Sequence, residues 1–451
     1  MSTLTRRIPT LVGIAAVAAL ALTGCAPGSG PAETDASLGP VSKDVGSDPI
    51  TLTVWDQNTE GAINDTQDQL NAAFEEKYPN VTIDRVSRSF ADLKTTLRLA
   101  LSSDTPPDVV QANQGYPDMG SFVSGGYLRP VDDYSELYGW DSYYPEQLLE
   151  LNSFSADGTT WQGDNLYGVS QTGELVGVYY NKKILSDLGL EAPTDLAGLE
   201  DAFAAAQYAG VVPMSYGDVE KSPGIHLFGV VQAAVAGEKA VNDLVTGTSG
   251  AWTDDVNVET AETLADWSEK GYIPEGANGI SRDDALGEFA DGKSAFLITG
   301  TWQLGTLEEA LGTDVGFTAL NPVDGDTPVT TGGEGLAWAI TSKSENTDAA
   351  AAYVNFITDT SASEILVETG NLPTVIPDSY TPEDGTLTAD IVEQYRAISD
   401  SNGLVPYLDY ATPTFYDTLA NGVQELTAGQ QDAKAFTEGL QADYSAFLES
   451  K

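Results

Sequence analysis

Apolar and polar residues alternate over 50–56 (ITLTVWD), and the β-branched content predicts a strand there. Leu70, Phe74 and Tyr78 then recur at i+4, the spacing of one helix face, and Pro79 stops that helix. Residues 81–86 read as a second strand. Leu93, Leu97 and Leu101 mark a second helix, closed by Thr105, Pro106 and Pro107. Residues 108–111 (DVVQ) form a short buried strand. Strand, helix, strand, helix, strand predicts a parallel α/β sheet. Such sheets bind ligands outside the C-terminal ends of their strands. The residues that matter first are therefore Asp56, Gln57 and Asn58, then Asn113, Gln114 and Tyr116.

A long extended stretch follows at 167–181, interrupted by Gly168, Gly173 and Gly177. Its length suits a crossover between two lobes. A second α/β region comes next: helices near 195–209, 259–271 and 282–290, and strands at 211–216, 294–299 and 314–320. Residues 332–340 (GGEGLAWAI) are again extended and glycine-marked. The rest is mostly helical, over 349–357, 419–426 and a final amphipathic helix carrying Phe436, Leu440, Tyr444 and Phe447.

Residues 1–24 read as an export signal. Arg6 and Arg7 precede an apolar run of 12 residues, 11–22, too short to cross a bilayer core that needs about 20. Leu22-Thr23-Gly24-Cys25 resembles a bacterial lipobox, which makes Cys25 the lipidated first residue of the mature chain. Residues 25–48 are rich in Ala, Pro, Gly, Ser and Asp and read as a flexible tether.

Composition narrows the function. The 451 residues carry a formal charge of -48, which excludes electrostatic capture of nucleic acid. One Cys and one His exclude a disulfide framework and a zinc cluster. Gly287 to Ser294 fits the phosphate-loop string GxxxxGK[ST]. There, however, a helix precedes and a strand follows, the reverse of what aims a helix N-terminus at phosphate, and Glu288 and Asp291 would repel the anion. No GxSxG or GxGxxG occurs, and His226 lies beside no nucleophile motif. No catalytic residue, metal or cofactor is expected. Aromatics beside glycine or at strand ends (Tyr116, Tyr216, Trp302 and Tyr407) suit instead a pocket that stacks sugar rings.

The ordered motifs resemble the carbohydrate-binding, maltose-binding-like family of ABC-transporter solute-binding proteins. They are the lipobox, ITLTVWD, FEEKYPNV at 74–81, PDVV at 107–110, GYLRPV at 126–131 and the 166–181 stretch. WSEKGYIP at 267–274, FADGKSAFLITGTW at 289–302, the 332–340 stretch and GNLP at 370–373 complete them. The resemblance implies a two-lobed α/β fold of the periplasmic-binding type II class, each lobe a mixed sheet flanked by helices, with hinge strands between. It divides the chain into 49–171 plus 332–372, and 172–331 plus 373–451. It implies ligand contacts at Asp56, Gln57, Asn113, Gln114, Tyr216, Trp302, Glu334, Tyr407, Asp409 and Tyr410.

The expected function is capture of a neutral oligosaccharide by a monomer and its delivery to an ABC permease. The chain would be held by lipid alone on the outer face of the bacterial cytoplasmic membrane. With six arginines after residue 24, anionic ligands are disfavoured. A glycan hydrolase, a cation binder for a solute such as a polyamine, and an adhesin or sensory receptor are the rival expectations.

Overall fold

The computed structural model describes residues 40–59 and 61–450. The export signal, Cys25 and the tether as far as residue 39 lie outside the described residues. Among the described residues, no helix is long and apolar enough to cross a membrane.

The first sheet has five strands in the order Val81–Ser87, Ile50–Asp56, Val109–Ala112, Ala337–Ile340, Gly168–Ser170. The first three are parallel, and Ala337–Ile340 runs antiparallel to both its neighbours. Helix Gly61–Lys77 buries Leu70 and Phe74 as the i+4 pattern requires. Phe74 meets the Tyr353 ring edge-on at 5.3 Å. Helix Phe90–Leu101 buries Leu93, Leu97 and Leu101, and the Ser89 hydroxyl caps it by accepting the Asp92 N–H at 3.2 Å.

The segment read as tether is docked at its end. Val41 and Val45 pack on the first core, and the Ser42 N–H donates to Asp348 at 3.0 Å. The two valines, spaced at i+4, supply the apolar surface for this.

The second sheet is ordered Leu404–Val405, Thr330–Glu334, Gly173–Asn181, Ser294–Gly300, Val212–Ser215. Val315–Thr318 also pairs with Gly173–Asn181, antiparallel, beyond the end of Thr330–Glu334. The motif at 287–294 sits between helix Arg282–Ala290 and strand Ser294–Gly300, and Lys293 is held by Asp291 at 2.7 Å. It is a helix-to-strand turn.

The long strand expected over 167–181 is two strands in two sheets. The chain leaves the first sheet after Ser170 and enters the second at Gly173. The 332–340 stretch divides likewise, with Glu334 in the second sheet and Ala337 in the first. These crossings are tied together: Gly335 N–H donates to Thr172 O (2.8 Å), and Gly173 N–H to Leu372 O (2.9 Å). A Cβ on Gly335 would lie 2.4 Å from Thr172 Oγ1, so only glycine lets the strands approach this closely. The molecule is thus a two-lobed α/β fold, with a mixed sheet in each lobe and hinge strands between.

Helix Ser222–Thr246 was not expected from the sequence. Pro223, Gly224, Gly229 and Gly237 read as breakers. Pro223 is harmless in the first turn, where its missing N–H has no partner to lose. Gly224 is required because a Cβ would meet Asp218 Oδ2 at 2.8 Å, and Gly237, at φ 75°, kinks the helix. Its first half, as far as Ala234, is buried on nearly all sides and so shows no amphipathic period.

Candidate functional site

The hinge strands floor a cavity of about 280 Å³ between the ends of the two sheets. Loops after the first sheet's strands supply Gln57, Asn58, Asn113 and Gln114, with Gln111 at the end of its strand. Elements of the second sheet supply Trp302, His226, Tyr407, Asp409 and Tyr410. Glu174 and Glu334 rise from the floor on the paired strands Gly173–Asn181 and Thr330–Glu334.

The amide wall is held by hydrogen bonds within itself, to the hinge and to Tyr410. Gln111 Oε1 accepts the Gln57 N–H at 2.8 Å. Gln114 Nε2 donates to the hinge carbonyl of Gly335 at 2.8 Å. The Tyr410 hydroxyl lies 3.2 Å from Asn113 Oδ1 and 3.1 Å from Gln114 Oε1 and shares its one proton between them. Gly115 makes this approach feasible. It sits at φ 73°, and a Cβ there would lie 2.4 Å from Tyr410 Cβ.

The aromatic wall is a chain of rings. Trp302 and His226 have centroids 5.1 Å apart, His226 and Tyr407 5.8 Å, and Tyr407 and Tyr410 5.6 Å. Trp302 follows strand Ser294–Gly300 and is 41% exposed, an unusual state for the largest apolar side chain. Its six-membered ring lies over Gly300, where a Cβ would meet Cζ3 at 2.0 Å. The glycine therefore sets where the indole rests.

Burial shifts the ionisable groups. It is the largest cause of the shift at each of the following. Glu174 is pushed up to about 7, against a smaller opposing effect of the Tyr407 hydroxyl, which donates to its Oε2 at 3.0 Å. Glu334 is raised well above the usual carboxylate range, although Asn152 donates to it. Asp409 is raised to about 6. His226 is lowered to about 4, with Arg282 adding to the effect, so its ring is neutral at pH 7.

Eight of the ten residues expected at the site line this cavity: Gln57, Asn113, Gln114, Trp302, Glu334, Tyr407, Asp409 and Tyr410. Asp56 does not. It is fully buried and takes Arg85 Nε at 2.7 Å and Nη2 at 3.0 Å, while accepting the Asn58 N–H at 2.9 Å. Alternation along its strand puts Asp56 on the face of Leu52 and Val54, toward the core. Tyr216 is also displaced from the main cleft. It lines a side chamber of about 40 Å³ behind Trp302, which shares Ser222, His226, Arg282 and Gln303 with the cavity. Tyr116 is buried beneath the wall, edge-on to Phe154 at 5.8 Å and not on the cavity. Sequence reasoning missed Glu174, Arg282 and the placement of His226. Glycine-marked hinge chain was a usable signal for Glu174; the unrecognised helix hid His226. Among the described residues, no group of three or more His, Cys, Asp or Glu is placed to hold a metal ion.

A sequence profile for bacterial extracellular solute-binding proteins matches residues 69–392. The chain belongs to that family. An uncharacterised ABC transporter extracellular-binding protein of Pyrococcus horikoshii is 26% identical over 263 residues, 56% of this chain and 56% of that one. The alignment thus spans little more than half that relative's length. The multiple sugar-binding protein of Streptococcus mutans is 22% identical over 341 residues, 73% of this chain and 76% of that protein. Among solved structures, a chitin oligosaccharide binding protein superposes with a TM-score of 0.76 at 20% identity, covering 89% of this chain and all of that one. That likeness shows the fold.

Proposed function

We propose that this family member is the saccharide-capturing component of an ABC importer, anchored through Cys25 and delivering its ligand to the membrane permease without chemical change. The observation that carries the reading is the asymmetry of the cleft. Amides on one wall can satisfy hydroxyls, and rings on the other can cover the apolar C–H faces of a sugar. A ligand touching both walls and the hinge floor favours the closed arrangement through its differential contacts. The names of the relatives that bind sugars support the ligand class.

The test is a thermal-shift and calorimetric screen of residues 26–451 against mono- and oligosaccharides, with each sugar checked afterwards for cleavage. A ligand at 1,000 times its dissociation constant adds about 4 kcal/mol of stability. An intact sugar series that raises the midpoint supports the reading. Cleavage of the sugar moves it to the hydrolase. Mass spectrometry of the chain expressed in a bacterium that processes lipoproteins checks the anchor: an unmodified Cys25 removes it. Uptake lost on deleting a permease partner would separate delivery from a purely sensory role.

A further inference from the structure

Three carboxylates face the cavity, and none forms an ion pair with another described residue, although the charge of Lys94 acts on Asp409. Glu334 and Asp409 are 3% and 6% exposed. Asp409 accepts no hydrogen bond from any other described residue. Glu334 and Glu174 are met by neutral donors, Asn152 and Tyr407. Two cations lie nearby, Lys94 and Arg282. Lys94 is paired with Asp118 at 3.0 Å and lies over the Tyr416 ring at 4.1 Å. Arg282, on the exposed rim, lies 3.5 Å from Asp283.

Burial disfavours the ionised form of these acids, and an ammonium group beside them would restore it, whereas a ligand that offers only hydroxyls supplies no counter-charge. The three do not converge tightly enough to hold a metal ion. They are spread instead around Tyr407 and Tyr410, whose ring faces also attract cations. Resting on the saccharide reading above, we infer that the cleft contains a seat for an alkylammonium group, formed by Glu174, Glu334 and Asp409 around Tyr407 and Tyr410, so that the captured saccharide carries a primary amine. A polyamine presents the same ammonium chemistry, and the experiment separates the two sources.

Calorimetry would compare a panel of neutral or N-acetylated saccharides with their amino-deoxy counterparts at one pH and ionic strength, together with spermidine. The expected result is at least tenfold tighter binding of the amino form in every pair that binds. D409N and E174Q should each weaken the amino form at least fivefold more than they weaken the neutral counterpart. Equal or tighter binding of the neutral forms overturns the ammonium seat and leaves the saccharide reading standing. If no saccharide binds but spermidine does, and D409N weakens it, the seat stands and the saccharide reading falls. Binding of neither class overturns both. Far-UV circular dichroism and thermal midpoints of the two variants establish that a lost affinity is not a lost fold.

Discussion

The wall contributed by the first sheet is made of amides, and the wall contributed by the second is made of rings. Gln111 accepts the Gln57 N–H, Gln114 donates to the hinge, and Asn113 and Gln114 share the Tyr410 hydroxyl proton. Trp302 stands outside these bonds; its place is set by the bare surface of Gly300 and by His226. The two walls therefore fail differently. Loss of an amide unbalances a polar network, whereas loss of the Trp302 ring removes contact area and leaves the protein intact. The first lobe also carries its buried charge pair away from the cavity, while the acids on the floor and at Asp409 are left facing the ligand.

The strongest way to break this comparison is at Asp56. Removing one partner of a buried ion pair costs about 3–5 kcal/mol, so Asp56→Ala should lower the thermal midpoint severely. Affinity per folded molecule should stay unchanged, and a selective loss of affinity in a stable variant would return Asp56 to the ligand. Next comes Trp302→Ala, which removes stacking worth roughly 1–3 kcal/mol. Titration calorimetry should show that loss with a nearly unchanged midpoint, because the side chain is 41% exposed. Gly300→Ala probes the same wall from behind. The added methyl must push the indole aside, so affinity should fall toward that of the Trp302 variant, and tryptophan fluorescence should change without ligand. Gln114→Ala should cost about 0.5–1.5 kcal/mol for a lost hydrogen bond, divided between stability and affinity because the amide serves both the hinge and the wall.

A further effect is one of pH. Folded Glu174 holds its proton up to about 7, while the unfolded carboxyl releases it near 4.3. Stability contributed by this group is present below the lower value and is lost as pH rises through the higher one. His226, lowered to about 4, has the opposite sign, gaining between about 4 and 6.5. Comparing wild type with Glu174→Gln cancels the histidine. The wild type should lose stability relative to the variant between about pH 4.5 and 7, and parallel curves would remove the assignment.

Most of the fold is legible in the sequence because the opening strands and helices carry clean periods. The strand-end rule locates Gln57, Asn113 and Gln114 without further help. It fails at Asp56 by a single residue, because the last strand position still obeys alternation and points inward beside Leu52 and Val54. Glu174 is hidden for a different reason. The glycines around it mark a hinge, but the point at which the chain changes sheets is set by pairing with strands far along the sequence. His226 sits on a helix whose glycines and proline are explained only by the neighbours they approach, such as Asp218 against Gly224. Long-range contact decides these positions, and a local window cannot contain it.

The hinge crossings also bear on synthesis. Strand Ala337–Ile340 sits between Val109–Ala112 and Gly168–Ser170, so the first sheet has an unfilled slot until residue 340 of 451 has been made. A nascent chain short of that point keeps two bare strand edges open to pairing with other polypeptides. Closing the slot requires a contact across more than two hundred residues, the kind that forms slowly. The lobe begun first at the ribosome is thus completed late, and neither half can be cut from the gene as one uninterrupted piece.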